Sequence, residues 1–373
     1  MTFAVALAVR TFPLFHASDV AELRATILSG ELNPDQVTAV TGKTEGEGGP
    51  YDESRIAIDF AIRALLLESG SRDASAIAAI PMNFSGGSGG VIAPHFTIFI
   101  GTPAERDDRP DAPARLVLGR AVGEPIAAEH IGRMGMVDSV AAAVIRAAAD
   151  AGIDPRQARY VMAKNPMLTP ELVADAARRG VDTIEPGGLG ALYRTSGGTA
   201  LGAALALGDI PRPTPEQIGI DAALYSARVS ASSGTESDAA QVLVFGNQAG
   251  APGDLAVGHA EMTDALDVAA LHRACRAAGL DVPDFADPAT FSHRVAAIFV
   301  KCNPTDDGRL RGYPQVQRGG PTDRAYTTQL KASVGGMFAA ALGNPAFYIS
   351  GAGFHQGAPG GGSVVVIADH GAH

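Results

Sequence analysis

Gln36-Val-Thr-Ala-Val-Thr-Gly-Lys43 is an apolar run that stops on a lysine, and the chain does the same twice more, in Tyr160-Val-Met-Ala-Lys164 and Val295-Ala-Ala-Ile-Phe-Val-Lys301. Short runs rich in β-branched and aromatic residues read as strands. One lysine therefore closes one strand in each third of the chain. The residue type matters. Lys and Arg together number 29, yet only Lys43, Lys164, Lys301 and Lys331 are lysine. Arginine keeps its proton in a protein, whereas a buried lysine can give it up. Codon bias would also leave a few lysines behind, so the weight rests on their recurrence in register.

A second set repeats with the first. Later in each third an apolar run enters a loop of small residues: Ile80-Pro-Met-Asn-Phe-Ser85-Gly-Gly, Ser230-Ala-Ser232-Ser-Gly-Thr-Glu236 and Phe347-Tyr-Ile-Ser350-Gly-Ala-Gly. Taken singly, each serine reads as an ordinary turn residue. Three lysines and three serines in the same order read as one unit used three times.

Working outward, the first unit reads as strand 2–9, helix 19–29, strand 36–41, helix 55–68, strand 77–84 and strand 95–101. The second reads as strand 114–121, helix 137–151, strand 158–163, helices 170–179 and 198–207, a strand near 222–230 and strand 240–246. The third reads as strand 255–261, helix 267–278, strand 294–300, helix 326–342, strand 346–350 and strand 363–368. Alternating strands and helices make each unit α/β. Proline- and glycine-rich breaks at 104–113 and 247–253 divide the chain into units 1–105, 106–250 and 251–373.

Composition excludes several classes. With 46% hydrophobic and 18% charged residues the chain builds a large core. A net charge of −11 argues against nucleic acid and anionic membrane as partners. Two cysteines make no disulfide framework, which points to a reducing cytoplasm. No apolar stretch is long enough for a membrane helix. Met1–Val9 lacks the basic start of a signal peptide and reads as a strand. The nine histidines form no His-x-x-x-His ligand pair, and His95 and His355 read as structural.

Serine becomes a nucleophile when a base takes its proton, and a neutral lysine is such a base. Burial and nearby positive charge both push a lysine toward neutrality. The candidate cations are Arg55, Arg194 and Lys331, with Arg324 an alternative for the third. Three units around an axis bring these groups into one pocket suited to a flat, carbonyl-rich ring of near-threefold symmetry. Backbone N–H groups after the serines, at Gly86, Ser233 and Gly351, are candidate oxyanion donors.

These strings carry a family resemblance. Val-Thr-Gly-Lys43-Thr-Glu-Gly with Arg55, Lys164-Asn-Pro-Met-Leu-Thr-Pro, Gly258-His-Ala-Glu-Met-Thr-Asp-Ala and Ser350-Gly-Ala-Gly-Phe-His-Gln-Gly resemble the ring-opening cyclic amide hydrolases, that is, cyanuric acid hydrolase and barbiturase. The resemblance spans the whole chain. It implies three α/β units with threefold pseudosymmetry around a central active site, and hydrolysis of a cyclic imide with no organic cofactor. It pairs Lys43 with Ser85, Lys164 with Ser232 and Lys301 with Ser350. It makes Ser232 the nucleophile and Lys164 its base, with the remaining groups binding the ring. It also implies a homo-oligomer, with a tetramer expected. A structural magnesium or calcium ion is implied as well, held by backbone oxygens at Gly353, Gln356, Gly357, Ala358 and Gly361 with the residue at 303.

This chain departs from the pattern in places. Lys331 stands where an arginine is expected, Asn303 where a carboxylate is expected, and the Ser85 loop lacks a glutamate. Cyanuric acid is the first expectation for the substrate. Barbituric acid, another cyclic imide or ureide, and a catalytically silent ring-binding protein are the alternatives.

Overall fold

The computed structural model describes residues 3–46, 48–49, 52–87, 89–184, 188–282, 287–317, 319, 323–351 and 353–372. The first unit contains strands β1 (Phe3–Pro13), β2 (Val37–Lys43), β3 (Met82–Ser85) and β4 (His95–Glu105). The second contains β5 (Ala114–Pro125), β6 (Tyr160–Pro166), β7 (Val229–Gly234) and β8 (Ala239–Ala249). The third contains β9 (Leu255–Met262), β10 (Val295–Cys302), a short hairpin of β11 (Arg309–Leu310) and β12 (Tyr313–Pro314), then β13 (Tyr348–Gly351) and β14 (Gly362–Asp369).

Each unit makes a four-stranded sheet of the same order: β1-β4-β2-β3, β5-β8-β6-β7 and β9-β14-β10-β13. All neighbours are antiparallel except the last pair of each, β2/β3, β6/β7 and β10/β13. A parallel pair needs a crossover connection, usually helical. The crossovers are α2 (Ser54–Ser69) with α3 (Ala74–Ala78), α5 (Pro170–Arg178) with α6 (Gly188–Leu207), and α8 (Arg324–Leu342). Each crossover brings two strand ends to one edge of its sheet, where a βαβ unit places its site.

Helices cover the outer face of each sheet, including α4 (Met134–Asp150) in the second unit and α7 (Ala269–Ala277) in the third. Val137, Val140, Ala141, Val144, Ala147 and Ala148 recur at helical spacing along α4 and are all buried. Close seating requires glycine on the strand beneath. A Cβ at Gly119 would stand 1.7 Å from the Ala147 carbonyl, and one at Gly258 would stand 2.1 Å from that of Ala274. The inner faces of all three sheets share one further core, which includes Phe99, Tyr160, Phe245, Phe299, Tyr348 and Val365. No helix among the described residues is long and apolar enough to cross a membrane.

Three local readings change. Residues 77 and 78 belong to α3, which Asp73 caps by accepting from Ala76 N–H, so β3 is only four residues long. The strand read near 222–230 lies later, at β7. The helix read over 198–207 begins ten residues earlier, at Gly188.

Candidate active site

The parallel pairs set the chemistry in register. Lys43 stands opposite Ser85, Lys164 opposite Ser232 and Lys301 opposite Ser350. All three lysines are 1% exposed. Arg55, Ser85, Gly86, Lys164, Ser232, Ser233, Lys301, Lys331, Ser350 and Gly351 line one central cavity of ≈ 80 Å³. That is room for one small ring. A larger cleft of ≈ 390 Å³ opens at the seam of the first two sheets beside Arg106, Arg120 and Asp150, away from every site lysine and serine.

The three pairs are not equivalent. Lys43 turns away from the cavity and donates to the carbonyls of Gly86, at 2.7 Å, and Gly87. Lys301 donates to Ser350 Oγ at 3.1 Å. Lys164 forms an ion pair with Glu236 Oε1 at 2.5 Å. Ser85 Oγ is committed to the Ile349 carbonyl at 2.9 Å. Ser85 and Ser350 are buried, whereas Ser232 is half-buried and opens into the cavity. Burial dominates the lysine electrostatics. It holds Lys43 well below its ordinary value. It brings Lys301 to about 7, with neighbouring Lys331 adding to the shift. Lys164 falls to about 8, because Glu236 opposes the effect of burial.

Glu236 is the residue that sequence reasoning passed over. It was in view four residues after Ser232, but nothing in the spacing showed that it folds back. Its Oε1 lies 3.2 Å from Arg55 Nε as well as 2.5 Å from Lys164 Nζ, so it ties the second unit to the first. Burial alone would raise Glu236, but the charges of Lys164 and Arg55 outweigh it and hold the carboxyl below its usual range. Asp52 pairs with Arg55 from the other side at 3.5 Å.

Two expected cations stand outside the cavity lining. Leu192 and Ser196 of α6 face the cavity, while Arg194 packs against Gly132 and Gly219, its Nε buried without a hydrogen-bond partner. Residues 192 and 196 are one helical turn apart, which puts 194 on the far side. Arg324 opens α8, two turns before Lys331. Lys331 itself is buried and reaches the cavity, and burial lowers its pKa.

The loop expected to hold a cation is wired differently. Asn303 Nδ2 donates to the carbonyls of Gln356, Gly357 and Ala358 at 2.8, 3.3 and 3.4 Å, and Asn303 N–H donates to Gly361 O at 2.8 Å. The side chain of Gln356 folds back over Gly353 and accepts from Ala231 N–H. A hard cation needs oxygen ligands, preferably anionic ones. Here a neutral amide nitrogen occupies the point where the carbonyls converge. The residues as arranged do not fit magnesium or calcium, and no reaction step is routed through a metal. His95 and His355 are buried and bonded to backbone, His95 to Ala93 O and His355 to Leu224 O and Gly219 N–H.

The sequence profile of the amidohydrolase ring-opening proteins matches residues 8–369. The chain belongs to this ring-opening amidohydrolase family. Relatives within the family include Barbiturase 2 of Nocardioides sp. (strain ATCC BAA-499 / JS614), 43% identical over 97% of this chain and 98% of that one. Barbiturase 1 of the same strain is 40% identical over 98% and 99%. A cyanuric acid amidohydrolase of Bradyrhizobium diazoefficiens is 36% identical over 94% of each chain. Among solved structures, the cyanuric acid hydrolase from A. caulinodans superposes with a TM-score of 0.86 at 33% identity, covering 98% of this chain and 100% of that one. That solved structure thus shares the three-unit architecture of this chain.

Proposed function

We propose that this chain opens a six-membered cyclic imide by hydrolysing one ring C–N bond, with barbituric acid the favoured ring and cyanuric acid the second. The observation that carries this reading is Ser232. It lines the cavity, is less buried than Ser85 and Ser350, and stands in register with Lys164.

The steps balance with water as the only co-reactant. Neutral Lys164 takes the Ser232 proton as Oγ attacks a ring carbonyl carbon. The backbone N–H groups after the serines face the charge that develops on oxygen. As the tetrahedral centre collapses, Lys164 returns the proton to the departing ring nitrogen and the C–N bond breaks. Water then attacks the acyl-serine carbonyl, giving a proton to Lys164; the acyl C–Oγ bond breaks, Lys164 passes that proton to Ser232 Oγ, and a ring-opened acid leaves. Serine and lysine are restored. Lys301 and Lys331 oppose negative charge on the other ring oxygens.

Barbituric acid takes first place over cyanuric acid for two reasons. The barbiturases compared are the more identical relatives. The cavity also lacks threefold equivalence, with a forked Arg55 from one unit and a single-point Lys331 from another. Cyanuric acid repeats one C(=O)–NH group three times, whereas barbituric acid replaces one NH by a methylene.

The test is ring opening by purified protein, followed by ultraviolet absorbance with both rings side by side. Turnover of barbituric acid that Ser232→Ala abolishes supports the reading. Binding without turnover of either ring would replace it with the silent binder. A second reading has its own observation: Ser350 is already hydrogen-bonded to Lys301, a lysine near 7. Loss of turnover in Ser350→Ala but not in Ser232→Ala would select that pair.

A further inference from the structure

We propose that Glu236 completes a Ser232–Lys164–Glu236 triad, and that this carboxylate is what makes the middle unit the reactive one. The inference rests on the ring-opening reading above. Glu236 acts through Lys164, so it is a positioning residue.

The asymmetry is visible in the chain. Four residues after Ser232 stands Glu236, whereas Gly89 follows Ser85 at that offset and Phe354 follows Ser350. Among the described residues, Lys43 and Lys301 donate to carbonyls and a hydroxyl. Among the described residues, Lys164 alone of the site lysines has a carboxylate within ion-pair distance. The loop is shaped for it, because a Cβ at Gly234 would stand 1.9 Å from Glu236 Oε2. Both Glu236 oxygens are buried, and Oε1 faces Lys164 and Arg55. The carboxylate is thus already in contact with the lysine whose charge changes in the reaction.

The charges facing this pair come from two elements. Lys164 lies on β6. Arg55 and Asp52 stand at the start of α2, and Asp59 lies one turn along, where Arg63 neutralises it at 2.7 Å. Moving the Ser232 proton to Lys164 creates an ammonium in a site shut off from water. Glu236 keeps its charge throughout and stabilises that ammonium until the proton passes to the ring nitrogen. A carboxylate does the same for the protonated base in a Ser-His-Asp triad.

The test compares kcat and KM against pH for the wild type, Glu236→Gln, Glu236→Asp, Lys164→Arg and Ser232→Ala, with barbituric and cyanuric acid. Without the carboxylate, burial and Arg55 act on Lys164 unopposed. The rising limb of kcat/KM is then expected at lower pH by roughly one unit. The plateau kcat is expected to fall about 10²-fold. Glu236→Asp should recover part of both. A folded Glu236→Gln protein whose limb does not move overturns the triad. Should that variant fail to fold, Glu236→Asp decides: a limb and plateau identical to wild type overturn the triad equally. Turnover that survives Ser232→Ala and Lys164→Arg removes the underlying reading and the triad together. Turnover lost in those two, with an unmoved limb in the Glu236 variants, removes the triad alone.

Discussion

Lys164 reaches out of its own unit to the backbone carbonyl of Phe84, 3.3 Å away in the unit before it. Lys301 makes the equivalent contact with Ala231 O at 3.5 Å. Ser85 Oγ closes the circle on Ile349 O. Phe84, Ala231 and Ile349 each precede a site serine. Every reactive strand end is therefore propped by the neighbouring unit, and no unit holds a complete site alone.

Lys164→Arg keeps the charge but removes the proposed base. Turnover is expected to fall about 10³-fold with the fold intact, within the range for general-base loss. Lys301→Arg should act more on KM than on kcat. Steady-state kinetics of the two variants checks this, and the reverse ranking would transfer the base role to Lys301.

Stability should depend on pH through Lys301. Burial brings this lysine to about 7 in the folded chain, from 10.5. Between those values the unfolded chain holds the extra proton, so stability rises with pH across that window. Below pH 7 both states are protonated and the unfavourable contribution is complete. The slope is at most about 1.4 kcal/mol per pH unit for one lysine. Lys301→Met should flatten the melting-temperature profile between pH 7 and 9. A variant profile parallel to wild type would contradict the shift.

Chelation of divalent cations should leave the wild-type melting temperature unchanged, because Asn303 already satisfies the loop carbonyls. Asn303→Glu places a carboxylate among those oxygens and should be destabilised on its own. Magnesium or calcium is then expected to restore it. A wild-type protein that melts earlier in chelator would show that a cation displaces the amide.

Lys331→Arg replaces a point charge with a fork in the cavity wall. The ratio of cyanuric to barbituric acid turnover is expected to rise several-fold, read from kcat/KM for each ring. An unchanged ratio would take Lys331 out of ring discrimination.

The strand ends were legible because lysine in an arginine-rich chain marks them, and parallel pairing then fixes each serine opposite. Less legible was β7, Val-Ser-Ala-Ser-Ser-Gly, which contains one strong strand former and is an edge strand held in place by pairing with β6 and burial under α6. The early turns of α6 are glycine-rich, and each glycine costs about 1 kcal/mol of helix propensity. That obscured where the helix begins, and with it which way Arg194 faces. Glu236 was hidden for another reason. A charged residue in a small-residue loop reads as solvated, and only the space above Gly234 shows that it turns inward.

The unequal cations of the cavity bear on what leaves as well as on what enters. Cyanuric acid offers the same bond to Ser232 after each third of a turn, so every orientation gives one product. Barbituric acid does not, since attack at the carbonyl between its two nitrogens and attack beside its methylene yield different acids. On the proposed reading, a cavity with Arg55 on one side and Lys331 on another would set the regiochemistry. Exchanging those two charges would be a route to a different product from the same ring.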